Sequence, residues 1–212
     1  MSNPESHSPR KTMKLFTLIL TTLLYLCSTN VRAQVQTTVQ PCTEHKPASA
    51  VKGQQPSPLP DIEVFNQHGK PLRFYSDLVK GKTVIVNFIF TSCTYICPLQ
   101  GASFSRLQAT LGDRLGKDVT LISVSTDPLN DTPQRLKSWG ERFGAKPGWM
   151  FVTGTKAEID KLLVALTGDP SGLKDHSAIA LMGDYDKGVW IRADALDEPT
   201  RLISSLDTAL RK

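Results

Sequence analysis

The apolar run at residues 84–90 constrains the fold of this chain more than any other feature. Its side chains are apolar on both faces, which is typical of a strand buried within a parallel sheet. Strand and helix signals alternate from residue 60 onward, with further strands predicted at 119–124 and 150–152. This alternation predicts an α/β fold in which helices cover both faces of a sheet.

Helical patterns follow each of these strands. A helix is predicted over residues 99–115, and Thr132 is expected to cap a second helix that has Pro133 at its first position. Thr155 and Glu158 form a capping-box pattern at the start of a third helix. An amphipathic helix is predicted after residue 198.

Two hairpins complete the predicted domain. Residues 62–74 predict a small β-hairpin before the central strand, and residues 177–193 predict a final one. The expected architecture is therefore a central mixed sheet flanked by helices, with an N-terminal β-hairpin extension.

The N-terminal residues have the pattern of an export signal. A basic stretch with Arg10, Lys11 and Lys14 precedes an apolar run at 15–26, and small or modest residues follow before residue 34. Residues 1–33 are therefore interpreted as a signal peptide or an N-terminal membrane anchor. We expect an exported protein, in the periplasm or on the periplasmic face of the inner membrane.

Composition changes after residue 33. Residues 34–58 are rich in Gln, Pro, Ser, Thr and Ala without apolar periodicity, which predicts a flexible linker, and residues 59–212 form the predicted globular domain. Four of the 25 basic residues and one of the 20 acidic residues precede residue 34, so the rest is near charge balance. A nucleic-acid partner is not expected, because no basic stripe with interleaved aromatics is present.

Two cysteines, Cys93 and Cys97, lie between the central strand and the helix that follows it. The free amides and the dipole at a helix N-terminus stabilise thiolate, which is the form that binds metals and attacks disulfides. A pair in this position indicates redox chemistry, soft-metal binding, or both. Cys42 is in the predicted linker, and its role stays open.

His176 lies in a loop just before a predicted strand and is the most informative residue outside the thiol pair. Two thiols and an imidazole form a soft donor set suited to copper, as Cu(I) or Cu(II). Zinc is less expected, because structural zinc sites normally have four ligands and no fourth is suitably spaced.

Three stretches together resemble the Sco/SenC family of copper proteins. They are the Cys-x-x-x-Cys-Pro motif at 93–98, the Ser-Thr-Asp-Pro motif at 125–128 followed by Asp-Thr-Pro at 131–133, and Asp-His-Ser at 175–177. The resemblance implies a thioredoxin-like fold, with copper bound by Cys93, Cys97 and His176. It also makes Asp175 an expected hydrogen-bond partner of the ligating imidazole.

The resemblance implies a metallochaperone that delivers copper to the CuA site of cytochrome c oxidase subunit II. The expected partners are the apo-CuA domain and other copper chaperones or thiol reductants of the cell envelope, with a membrane tether if the N-terminus is retained.

Two enzyme functions are alternatives. A thiol-disulfide oxidoreductase would use Cys93 and Cys97 as its redox-active pair and form a Cys93–Cys97 disulfide when oxidised. A peroxidase of the same fold is less favoured, because Thr91 lies two residues before Cys93 rather than three.

Overall fold

A computed structural model of this chain describes residues 51–52, 58–168 and 178–211, all within one compact unit, His45–Lys212. The strands are β1 (Val51–Lys52), β2 (Glu63–Asn66), β3 (Pro71–Arg73), β4 (Thr83–Ile89), β5 (Val119–Ser125), β6 (Trp149–Thr153), β7 (Ile179–Asp184) and β8 (Val189–Asp194). They form one mixed sheet in the order β1-β8-β7-β4-β5-β6-β2-β3. β4, β5 and β6 run parallel, and the other pairings are antiparallel.

The α-helices of the described residues are α1 (Ile96–Leu111), α2 (Pro133–Arg142), α3 (Lys156–Thr167) and α4 (Pro199–Leu210). A π-helical turn (Phe74–Val79) precedes β4, and a short 3-10 turn (Gly112–Arg114) follows α1. None of the helices within these ranges has the length and apolar character needed to span a bilayer.

The core has two parts. One contains buried side chains of α1, α2 and α4, including Phe104, Leu136 and Leu202. The other contains those of α3 and the π-helical turn, including Leu162 and Phe74. The predicted α/β architecture, with its mixed sheet and N-terminal β2–β3 hairpin, is confirmed.

The predicted start of the first helix was wrong. α1 begins at Ile96 rather than residue 99, and it includes Pro98 in its first turn. Proline is tolerated there because the N–H groups of a first helical turn have no intrahelical partner. The helix ends before Gly112, whose φ of 52° stops regular winding and leads into the 3-10 turn.

Several expectations fall outside the described residues. These are the signal peptide or anchor at 1–33, most of the linker at 34–58, and both Asp175 and His176. The sequence analysis did not predict β1, which falls within the predicted linker. Its backbone pairs with Ile191 and Arg192 of β8.

Candidate functional site

The thiol pair lies where the chain passes from β4 into α1. The N–H of Cys93 donates to the carbonyl oxygen of Phe90 at 3.2 Å, which forms a turn directly after the strand. Cys97 is the second residue of α1. The fold therefore places both thiols at the carboxyl end of a central strand and at the amino end of a helix, as predicted.

The sulfur of Cys93 acts as a hydrogen-bond acceptor for the start of α1. The N–H of Cys97 donates to Cys93 Sγ at 3.3 Å, while Tyr95, the N-cap residue, provides no side-chain cap. A Ser or Asp side chain usually accepts from this amide at a helix start. Here a thiol does so, which favours negative charge on that sulfur.

Local hydrogen bonds determine the pKa of Cys93. Partial burial raises the pKa, but the backbone N–H and the thiol of Cys97, together with the amides of Tyr95 and Ile96, lower it by more. The result is a pKa below the ordinary value. Since Cys93 is half-buried, its sulfur combines thiolate character with access from solvent.

Cys97 has the opposite character. Its side chain is 2% exposed. Burial raises the pKa of Cys97 to about 12, opposed by a hydrogen bond from Phe90 and assisted by Cys93 and by the charge of Asp131. At neutral pH, Cys97 is therefore a protonated thiol, and it is hydrogen-bonded to the more acidic Cys93.

A buried carboxylate holds the loop before the thiols in place. Asp131 is 1% exposed and accepts from Thr91 through the backbone N–H, at 3.1 Å and 3.2 Å, and through the hydroxyl, at 2.5 Å. It also accepts from the hydroxyl of Ser125 at 2.7 Å. Asp131 thus joins the loop between β5 and α2 to the loop that carries Cys93.

A hydrogen-bonded series of buried polar side chains lies beneath the N-terminal half of α1. Trp149 Nε1 donates to Ser123 Oγ at 3.0 Å, Ser123 Oγ donates to Asn87 Oδ1 at 2.7 Å, and Asn87 Nδ2 donates to Gln100 Oε1 at 3.1 Å. Gln100 lies three residues after Cys97 on the same helix. These hydrogen bonds hold the N-terminal part of α1 against β4 and β5.

The sequence analysis did not identify Asp131 or Asn87 as site residues. For Asn87 a signal was available, because an amide in an otherwise apolar run needs a buried partner. Asp131 was noted only as part of a motif. Its burial depends on the two loops meeting, which local sequence does not reveal.

The predicted ligand set is only partly contained in the described ranges. Cys93 and Cys97 lie together, whereas His176 and its expected partner Asp175 lie outside those ranges. Across residues 58–168 and 178–211, no three His, Cys, Asp or Glu side chains are grouped so that they could hold a metal ion. The donor pair itself suits a soft ion such as Cu(I), or reversible disulfide formation.

Comparison with known proteins gives a consistent family assignment. The model of the SCO1/SenC family matches residues 54–211. The SCO1 protein homolog of Bacillus subtilis is 36% identical over 121 residues, which cover 53% of this chain and 61% of that protein. The chain thus spans about three fifths of that relative's length.

Two of the solved structures that match this chain are structures of Sco proteins. BsSco, described as a member of the Sco family of cytochrome c oxidase assembly proteins with a disulfide switch, matches with a TM-score of 0.62 and 27% identity. The match covers 75% of this chain and 96% of that one. Bradyrhizobium japonicum ScoI with copper bound matches with a TM-score of 0.56 and 26% identity, covering 70% and 96%.

Proposed function

Since the chain belongs to the SCO1/SenC family, we propose that it is a copper metallochaperone that delivers copper to the CuA site of cytochrome c oxidase subunit II. The observation that carries the proposal is the contact between Cys97 N–H and Cys93 Sγ, which places two sulfurs together at a helix start. The descriptions of the related structures, one copper-bound and one an oxidase assembly protein, support copper as the cargo and the oxidase as its destination.

Cys93, Cys97 and His176 are the proposed copper ligands, with Asp175 as hydrogen-bond partner of the imidazole. The sheet register supports a contribution from the segment before β7. Ala180 of β7 pairs with Asn87 of β4, so β7 begins beside the end of β4 from which the thiol loop departs. Ala178 packs against the same core cluster as Cys93. His176 is two residues before Ala178, a separation that the backbone spans with about 7 Å at most.

Anaerobic copper titration of the full chain tests this assignment. We expect Cys93→Ser and Cys97→Ser each to abolish tight binding of Cu(I), because either change leaves one thiolate. His176→Ala should weaken Cu(II) more than Cu(I), because two thiolates can hold Cu(I) without a third ligand. Equal weakening of both oxidation states by His176→Ala would contradict the assignment of the imidazole.

A second function, thiol-disulfide oxidoreductase, is favoured by the contrast between the two thiols. The Cys93 thiolate would attack an acceptor disulfide, form a mixed disulfide and release one acceptor thiolate. Cys97 would then lose its proton and attack Cys93 Sγ, forming the Cys93–Cys97 disulfide and releasing the second acceptor thiol. Two electrons pass to the acceptor, so the same pair could reduce the CuA cysteines before copper arrives.

An insulin reduction assay separates the two functions. Copper binding without turnover of insulin supports the metallochaperone alone, whereas catalytic turnover that requires both Cys93 and Cys97 supports the reductase.

The proposed location is the cell envelope, with residues 1–33 as a signal or anchor and residues 34–58 as linker, and cell fractionation tests it. A cytosolic full-length product would contradict it.

A further inference from the structure

A groove lies between α2 and the loop that carries the thiols. It has a volume of about 290 Å³ and is lined by Thr91, Gln134, Arg135, Ser138, Trp139 and Arg142. Thr91 lies two residues before Cys93, so the groove borders the thiol site. The proposed ligand set includes none of these six residues.

The charged side chains lining this groove are both cationic. Arg135 and Arg142 are exposed, and among the described residues neither forms an ion pair. Arg135 Nη1 donates to the carbonyl oxygen of Asn130 at 3.0 Å, which positions it over the loop before α2. Glu141, the acid next to Arg142 in sequence, pairs with Lys137 at 3.5 Å.

The indole of Trp139 lines the same groove. Trp139 is 2% exposed, and its Nε1 has no hydrogen-bond partner in the described part of the chain. Its ring packs against Phe143 and Phe151, with centroids 4.5 Å and 5.7 Å away. The buried ring therefore forms part of the wall of the groove, beside the exposed arginines.

The remaining polar groups of the groove also suit an anion. Ser138 offers a hydroxyl and Gln134 an amide, and both are exposed on the outer face of α2. The nearby buried carboxylate, Asp131, already accepts from Thr91 and Ser125. Guanidinium groups combined with neutral donors are the usual means of holding a carboxylate.

The two loops beside the groove also expose apolar side chains. Tyr95, on the thiol loop, is 79% exposed, and Leu129, on the loop before α2, is 73% exposed. The Asp131–Thr91 hydrogen bonds join these two loops. An interface with a basic groove and an apolar border fits a protein segment better than a free inorganic anion.

We propose that this groove binds an acidic segment of the protein that receives copper or electrons from the thiol pair, with a Glu or Asp carboxylate held by Arg142 next to Trp139. The inference rests on the proposed function for the identity of that partner. It adds a recognition surface that orients the partner beside Cys93 before any ligand or disulfide exchange.

Binding of a defined probe tests the groove directly. The full chain, reduced, copper-free and labelled with ¹⁵N, is titrated with a short acetylated and amidated peptide rich in Glu and Asp. The chain has three tryptophans, and we expect only the indole N–H resonance of Trp139 to move and to reach saturation, because Trp139 lines the groove. Trp149, whose Nε1 already donates to Ser123, and Trp190, which does not line the groove, should stay in place.

Two variants of the same residue type give a matched comparison. Arg142→Gln should weaken peptide binding about fivefold, as expected for the loss of one charge-assisted contact at an accessible site. Arg106→Gln removes the same charge from an exposed position on α1 outside the groove and should leave the affinity unchanged. Ser138→Ala should weaken binding by a smaller factor than Arg142→Gln.

Three outcomes would overturn the proposal. They are an equal response to the peptide with Gln and Asn in place of Glu and Asp, equal weakening by Arg106→Gln, and equal saturation by sulfate, which indicates a general anion site. Because the titration uses copper-free protein, its failure leaves the copper titration of the thiol variants unaffected. A failed copper titration likewise leaves the peptide result standing.

Discussion

The carboxylate of Asp131 accepts hydrogen bonds from both the backbone N–H and the hydroxyl of Thr91, two residues before Cys93. This contact joins two loops that are 40 residues apart in sequence. The position of the thiol loop therefore depends on a buried charge that belongs to a different element. The first prediction follows from this contact.

Asp131→Asn keeps the shape of the side chain but replaces one acceptor oxygen with a donor. At least one of the groups from Thr91 and Ser125 then loses its acceptor, so we expect the free energy of unfolding to fall by about 1–3 kcal/mol. Urea denaturation measures this change. The control is Asp127→Asn. In the described part of the chain the Asp127 carboxylate accepts only from the exposed amide of Asn130, and a change at such a surface contact alters stability by about 0.5 kcal/mol or less.

The same variant should change the chemistry of Cys97. Burial is the main cause of the raised pKa of Cys97, and the charge of Asp131 adds to it. Removing that charge should lower the pKa of Cys97, measured from the pH dependence of its alkylation in a Cys93→Ser background. An unchanged pKa would show that the carboxylate acts on the loop alone.

Alkylation should distinguish the two thiols. At neutral pH the lowered pKa of Cys93 and the raised pKa of Cys97 predict that iodoacetamide reacts with Cys93 at least ~100-fold faster, because only the thiolate is nucleophilic. The rates in Cys97→Ser and Cys93→Ser variants measure the two sites separately. Similar rates would contradict a lower pKa for Cys93 than for Cys97.

Copper affinity should depend on pH through Cys97. Copper must displace the proton of this thiol, whose pKa is about 12, so the affinity for Cu(I) should rise about tenfold per pH unit up to that pKa. Below the pKa of Cys93, displacement of a second proton should steepen the dependence. Competition with a chromophoric Cu(I) chelator at several pH values measures the slope, and an affinity independent of pH would exclude Cys97 as a ligand.

Loss of the amide in the central strand should be costly. Asn87→Ala leaves Ser123 and Gln100 without their buried partner and also opens a small cavity, so we expect a loss of about 2–4 kcal/mol in the free energy of unfolding. Ser103→Ala is the matched control. The buried hydroxyl of Ser103 has no partner in the described ranges, so its removal should cost far less. Equal losses in urea denaturation would show that the polar chain contributes little.

The elements that could be predicted are those with a strong local signal. The apolar strand β4, the Thr132 cap of α2 and the Thr155 cap of α3 each depend on neighbouring residues, and all three are confirmed. The predicted reciprocal contact of the Thr155 capping box is only half present. Thr155 Oγ1 accepts from the Glu158 N–H at 3.3 Å, while the Glu158 carboxylate pairs with Lys161 at 3.7 Å.

The features that could not be predicted depend on contacts between distant residues. The start of α1 lies three residues before the predicted one, so Pro98 falls within its first turn, where proline is accommodated. The role of Asp131 requires the β5–α2 loop to meet the thiol loop. The Trp139 indole, whose N–H has no hydrogen-bond partner among the described residues, reflects the packing of the core. The assignment of His176 as a ligand stays a prediction.

Both sulfurs belong to one short stretch, and the amide of Cys97 ties them to the rigid beginning of α1. Copper prefers different coordination geometries in its two valence states, yet this stretch leaves its sulfurs little freedom to rearrange. At the proposed copper site, a ligand from another part of the polypeptide would therefore have to accommodate a change of valence. The strand-to-helix junction would therefore be the fixed side of the proposed copper site.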